Sequence, residues 1–160
     1  MIEINLNQQC LYLNTANEKR CYKISSSKHG HGSLDGSYKT PLGLHKICEI
    51  IGVNSPMYTQ FRSRIPNGIA PPDTWGEYLG KDLILSRIIR IAGCEPGINR
   101  GEGVDSYLRY IYIHGTHEEA LLGTPASKGC IRMANDDIVS ICKLPLHNMP
   151  VNIILGEKNV

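Results

Sequence analysis

No two of the six cysteines, at positions 10, 21, 48, 94, 130 and 142, lie closer than eleven residues. Without a CxxC pair the usual structural zinc module is excluded. No stretch approaches the ~18 apolar residues that a membrane helix requires. Charge of one sign is not in excess: 17 basic residues against 15 acidic ones leave +2. That balance argues against a nucleic acid or a membrane surface as partner. There is no internal repeat of 20–50 residues and no low-complexity segment. Hydrophobic residues at 41% and charged residues at 20% exclude collagen, coiled coil and wholesale disorder.

The opening Met1-Ile2-Glu3-Ile4-Asn5-Leu6 has neither a basic n-region nor an apolar h-region, so as written it carries no export signal. With unclustered cysteines, this leads to the expectation of a reducing, cytoplasmic compartment. The alternatives are a periplasmic or cell-envelope protein whose leader has been removed, and a secreted domain with three disulfides.

What the chain does contain is enough for one domain, residues 1–160. At this size roughly 68–70% of the unfolded surface can be buried without staples. Ile2, Ile4 and Leu6 alternate with polar neighbours, the period of a half-buried strand. Cys10-Leu11-Tyr12-Leu13, a turn at 14–17, and Cys21-Tyr22-Lys23-Ile24 read as a hairpin or meander. Residues 25–43 and 54–80 are rich in Gly, Pro and Ser and are expected as loops. Apolar runs at 83–85 and 88–91 follow, then a loop over 93–103. Tyr107 to Ile113 is aromatic and β-branched, a strong strand candidate. One short helix is expected after residue 134, capped by Asn135, with Asp136 and Asp137 in its first turn and Pro145 as its stop. Ile138, Ile141 and Cys142 would share its buried face. Val151 to Leu155 reads as a last strand. The expectation is a mainly β fold, a sandwich or barrel, with this single late helix.

One pair of residues carries chemistry. His114 follows the 107–113 segment directly, and alternation puts Tyr110, Tyr112 and His114 on one face. Sixteen residues on is Cys130, within Ser127-Lys128-Gly129-Cys130-Ile131-Arg132-Met133. A thiol nucleophile needs a neighbouring base, worth ~10²–10⁴ in rate. It also needs donors for an oxyanion, each worth roughly 3–4 kcal/mol. Lys128 and Arg132 bracket Cys130 and would favour a thiolate. Taken alone, a Cys–His pair among six of each is weak, since a cysteine is more often a small buried hydrophobe.

The segments His114-Gly115-Thr116 and Ser127-x-Gly129-Cys130-Ile131-Arg132 resemble the signature of the L,D-transpeptidase (YkuD-type) catalytic domain. Gly36-Ser37-Tyr38-Lys39-Thr40-Pro41-Leu42-Gly43 resembles the family's Thr-Pro-x-Gly segment upstream. The resemblance runs from about residue 2 to residue 155. It implies a β-sandwich or mixed sheets and, as substrate, a peptidoglycan stem peptide or soluble muropeptide. It implies Cys130 as nucleophile, His114 as acid/base partner and the Gly115 carbonyl as orienter. Gly129 and Cys130 N–H would form the oxyanion hole, Ser127 would shape the turn, and Arg132 would brace the site or meet a substrate carboxylate. Carbapenems would be covalent inhibitors, and neither cofactor nor metal is implied. Position 128 departs from the pattern: Lys stands where the family usually has His, leaving Lys128 open between substrate contact and bystander.

The implied reaction breaks the bond between the third stem residue and D-alanine. Given the compartment expectation, hydrolysis by an L,D-carboxypeptidase in muropeptide recycling is favoured over 3-3 cross-linking by an exported transpeptidase. Elsewhere, His29 and His31 are read as a solvated loop rather than a metal site, Tyr58, Trp75 and Tyr78 as packing rather than a lid, and His117-Glu118-Glu119 as surface.

Overall fold

The computed structural model describes residues 1–158. The chain is mainly β. Ten strands form one mixed sheet: β1 (Ile2–Asn5), β2 (Cys10–Asn14), β3 (Lys19–Ser25), β4 (Gly43–Ile51), β5 (Thr59–Arg62), β6 (Ile65–Ile69), β7 (Ile84–Gly93), β8 (Tyr112–Gly115), β9 (Ile131–Met133) and β10 (Pro150–Ile154). Their order is β4-β10-β1-β2-β3-β9-β8-β7-β5-β6, and β4 also pairs with β7. The sheet therefore closes on itself through eight strands, while β5 and β6 hang from β7 as a flap. Among the strands of the described residues only β1–β10 and β8–β9 are parallel pairs.

Alternation decides which side chains face the enclosed side. Ile2 and Ile4, Leu11 and Leu13, Ile47, Ile89 and Ile91, Ile113, Ile131 and Met133, and Val151 and Ile153 form one buried cluster. Each fully buried side chain of this kind is worth roughly 1.5–3 kcal/mol. The α-helix, α1 (Asn135–Ile141), adds Ile138 and Ile141, and Cys142 follows on the same face.

Three local expectations change. Residues 54–80 are not all loop: β5 and β6 form a hairpin there, and a 3-10 helix spans Pro72–Tyr78. The hairpin turns through Ser63 and Arg64, both at positive φ (49° and 66°). Such turns usually advertise themselves with Asn-Gly or Asp-Gly, and this one does not. Residues 107–110 are turns rather than strand. There the Asp105 carboxylate accepts from the N–H groups of Gly101 and Leu108 at 2.9 and 3.0 Å, and Tyr110 sits at φ 57°. Those local bonds override the β propensity of the tyrosines. Asn135 is not the helix cap, a position held by Ala134 without a side-chain bond. Instead the Asn135 amide donates to the Thr116 carbonyl and to Glu119 Oε1, which also takes the Asn135 backbone N–H. The orphan donor of the helix start is met by a side chain sixteen residues upstream.

Candidate active site

Beside the motif, β8 and β9 run parallel, with Ile113 opposite Ile131 and His114 opposite Arg132. Extending the register by one residue sets Cys130 beside Tyr112, whose N–H donates to Cys130 Sγ at 3.3 Å. Since side chains alternate, Tyr112, His114, Cys130 and Arg132 share the outer face of the sheet, while Ile113 and Ile131 face the core. A small second cluster of Phe61, Ile88 and Tyr112 lies on that outer face, with Cys130 packed against it.

His114 is buried, with 1% exposure. Its Nδ1 lies 2.7 Å from the Gly115 carbonyl oxygen. A carbonyl only accepts, so Nδ1 carries the proton and Nε2 keeps its lone pair. Burial lowers the pKa of His114 below the usual imidazole value, the Arg132 charge adds to this, and Asp82 and the Gly115 carbonyl oppose it. Gly115 has no space for a side chain: a Cβ there would come within 2.6 Å of both the Leu85 carbonyl and Asn135 Oδ1. A bulge in β7 between Leu85 and Ile88 presents Ser86, whose hydroxyl donates to Asn135 Oδ1 at 2.6 Å.

Around the cysteine, the turn is tied by Ser127. Its hydroxyl donates to the Cys130 carbonyl at 2.6 Å and accepts the Gly129 N–H at 3.2 Å. Of the two N–H groups expected to face an oxyanion, that of Gly129 is thus engaged within its own turn. Gly129 has φ 127°, in the region that favours glycine. Thr40, from the upstream Thr-Pro segment, donates to the Gly129 carbonyl at 2.9 Å and accepts the Ser27 N–H at 3.0 Å. Arg109 fastens the same loop through the Lys39 carbonyl at 2.7 Å. The Cys130 thiol points to the Tyr110 carbonyl at 3.4 Å.

The expectation of a thiolate is not met. The Cys130 thiol is pushed up to about 12, chiefly by burial, and Asp82 pushes the same way against Arg132 and Arg109. Arg132 is 2% exposed, and its charge is met by Asp82 at 2.7 Å and Glu118 at 3.2 Å. Lys128 is exposed. Both shifts disfavour the thiolate–imidazolium pair, which suits proton transfer during attack.

Other sequence-level readings also change or gain partners. Glu118 and Glu119 are not idle surface, because they hold Arg132 and the start of α1. His117 is buried and donates through Nε2 to the Tyr78 carbonyl at 3.0 Å. Trp75 and Tyr78 pack against Ala70, Leu83 and Leu85, and Tyr58 meets Trp75 edge-on. Among the described residues no group of three or more His, Cys, Asp or Glu is placed to hold a metal. All six cysteines are free thiols. Asp82 and Arg109 went unnoticed, and Glu118 and Asn135 were given other roles, because they reach the site through tertiary contacts alone.

The family model of the L,D-transpeptidase catalytic domain (YkuD) matches residues 1–153. The chain belongs to the L,D-transpeptidase catalytic-domain family. Solved structures show how that family's fold extends to distant sequences. An L,D-transpeptidase from Mycobacterium smegmatis is 14% identical with a TM-score of 0.54, and the match covers 96% of this chain and 57% of that one. L,D-transpeptidase 3 from Mycobacterium tuberculosis, solved with a faropenem-derived adduct, is 15% identical with a TM-score of 0.53, covering 95% and 58%. An L,D-transpeptidase in complex with imipenem is 14% identical with a TM-score of 0.55, covering 96% and 57%. This L,D-transpeptidase family member thus spans under three-fifths of the length of each of these relatives. No curated protein matches it.

Proposed function

We propose that this family member is a cysteine acyltransferase acting on peptidoglycan stem peptides, with Cys130 as nucleophile and His114 as its base. The observation that carries the reading is the parallel register of β8 and β9, which puts the Cys130 and His114 side chains on one face with the Nδ1 proton of His114 fixed on Gly115. As Cys130 Sγ attacks the carbonyl carbon of the third stem residue, its proton passes to His114 Nε2. The tetrahedral oxyanion is received by the Cys130 N–H, and by the Gly129 N–H once it leaves Ser127. Collapse breaks the C–N bond, and His114 returns the proton to the departing D-alanine amine. The thioester is then hydrolysed by water, again through His114, which makes the enzyme an L,D-carboxypeptidase. Ser127 shapes the turn and Arg132, spent on two carboxylates, braces it.

A second reading is transfer to the amine of another stem, giving a 3-3 cross-link. It is favoured by the family match and by the L,D-transpeptidases among the similar solved structures. The test is incubation of the purified protein with disaccharide-tetrapeptide. Tripeptide plus free D-alanine is the expected product, and Cys130→Ala abolishes its formation while Cys10→Ala and Cys94→Ala retain it. A cross-linked dimer as main product establishes the second reading. Turnover by Cys130→Ala removes both. Imipenem is expected to add once, at Cys130, by intact mass.

A further inference from the structure

We infer that Cys10 and Cys21 form a reversible disulfide site, closed by exchange with a low-molecular-weight disulfide and opened again by thiols. The inference is independent of the acyl-transfer reading above.

The two cysteines are the closest of the six in sequence, eleven residues apart, and β2 and β3 bring them side by side. In that antiparallel pair Cys10 stands opposite Lys23, and Tyr12 opposite Cys21. Leu11, Leu13, Tyr22 and Ile24 belong to the core, so alternation puts Cys10, Tyr12, Cys21 and Lys23 together on the outer face. Cys10 and Cys21 are thus diagonal neighbours across the two strands. Cys21 is exposed and Cys10 half-buried. The Cys21 thiol is pushed up by burial and by the neighbouring Cys10 thiol, while the Tyr12 hydroxyl pulls it down, so the three side chains sense one another. The other four thiols are engaged elsewhere. Cys48, Cys94 and Cys130 lie against the carbonyls of Arg90, Ala92 and Tyr110, and Cys142 is in the core.

The diagonal sets the character of the bond. Diagonal neighbours across two strands have Cα atoms about 7–8 Å apart, slightly beyond the ~4.4–6.8 Å that an unstrained disulfide spans. Closure therefore draws the strands together, and a bond made under strain is the more readily reduced. The strands have room to give. Over residues 19–23, β3 pairs with β2 alone among the described residues, because its pairing with β9 begins at Ile24. The turn between the two strands is exposed at Thr15, Ala16 and Asn17.

Exposure orders the two steps. The Cys21 thiolate attacks the external disulfide, displaces one thiolate and is left as a mixed disulfide. The Cys10 thiolate then attacks the Cys21 sulfur and releases the second. The protons of the two cysteine thiols pass to the two departing thiolates, so one external disulfide is reduced for the one formed. The closed hairpin braces the strand that runs on to the Cys130 turn: the Ser26 carbonyl accepts the N–H groups of Ala126 and Ser127, each at 2.8 Å.

The test incubates the full chain, first reduced and desalted, with oxidised and reduced glutathione at a series of ratios. The protein is then denatured, alkylated with iodoacetamide, weighed intact and digested with trypsin. Four alkyl groups are expected where the reduced chain takes six, with peptide 1–19 joined to peptide 21–23. Dithiothreitol should restore all six. Cys10→Ser should hold one glutathione on Cys21 and give no joined peptide. Uptake of six alkyl groups at every ratio overturns the inference. So does a wild-type chain that keeps glutathione on Cys21 without releasing it, and so does a link between any other two cysteines.

Discussion

Ile113 and His114 are consecutive residues of β8, and Ile131 and Arg132 are consecutive residues of β9, yet each pair divides between two different surroundings. The inner members join a continuous apolar cluster. The outer members carry an imidazole whose pKa burial lowers and an arginine with an unmet donor, and the thiol of Cys130, next to Ile131, is pushed up beside them. The inner face is satisfied on all sides and gains stability from being so. The outer face holds an imidazole and a thiol whose charged forms are disfavoured beside a buried, ion-paired arginine, an arrangement that costs stability and is characteristic of sites where a proton or a charge is handled. The two faces share one backbone, so the well-packed side fixes the positions of the poorly satisfied one.

Substitutions can separate the two contributions. The largest effect is expected from His114→Ala, a loss of ~10²–10⁴ in kcat/KM for D-alanine release. His29→Ala and His31→Ala should change it little. Equal losses in all three variants would contradict the assignment of His114. Because the His114 pKa is lowered, the acid limb of the kcat/KM profile should fall below pH 6.5, and a limb at or above that value would show an imidazole in water.

Next in size, Ile131→Ala removes a fully buried side chain from the inner face one residue from Cys130. A cost of roughly 2–5 kcal/mol is expected in urea unfolding. Imipenem acylation should persist in whatever fraction stays folded. Acylation lost without loss of stability would mean that the two faces are not separable in this way.

The smallest effect concerns an inner-face exception. His45, on β4 in step with Ile47, is wholly buried, donates from Nδ1 to the Gly43 carbonyl and accepts at Nε2 from Ser106. Burial lowers its pKa to about 4. The unfolded chain, with an ordinary imidazole, takes up the proton first as pH falls. Its contribution is therefore undiminished above pH 6.5 and is lost progressively down to about pH 4, by roughly 3 kcal/mol. Urea titrations at pH 7 and pH 4.5 should show that slope, and His45→Asn should flatten it.

The strands nearest the chain ends, and the nearness of Cys130 to His114, were legible because period-2 alternation and a local motif both lie within short windows. Ile2 and Ile4, Leu11 and Leu13, and Ile153 announce their burial by spacing alone. The Ser63-Arg64 turn was not legible, since positive φ at two residues other than glycine is imposed by the hairpin rather than chosen by them. Tyr107 misled for the opposite reason: it has the composition of a strand residue, but it stacks on the Arg90 guanidinium at 3.7 Å from a turn that Asp105 holds. Asp82 and Glu118 were hidden because their importance lies in Arg132, 50 and 14 residues away in sequence. The thiolate expectation counted neighbouring charges along the chain and omitted both the carboxylates opposite them and the burial of the sulfur.

The closure of the sheet through β4 and β7 has a consequence for how these molecules meet one another. A sheet that returns on itself pairs its two outermost strands with each other, and the flap that hangs from it ends in β6, which has no strand partner on its outer side among the described residues. That strand is solvent-exposed along its length, with Ile65 at 66% and Ile69 at 57% exposure. Between them stand Pro66 and Gly68, the first unable to donate a hydrogen bond and the second poor at holding an extended form. These two residues make the outer edge of β6 a poor template for an added strand.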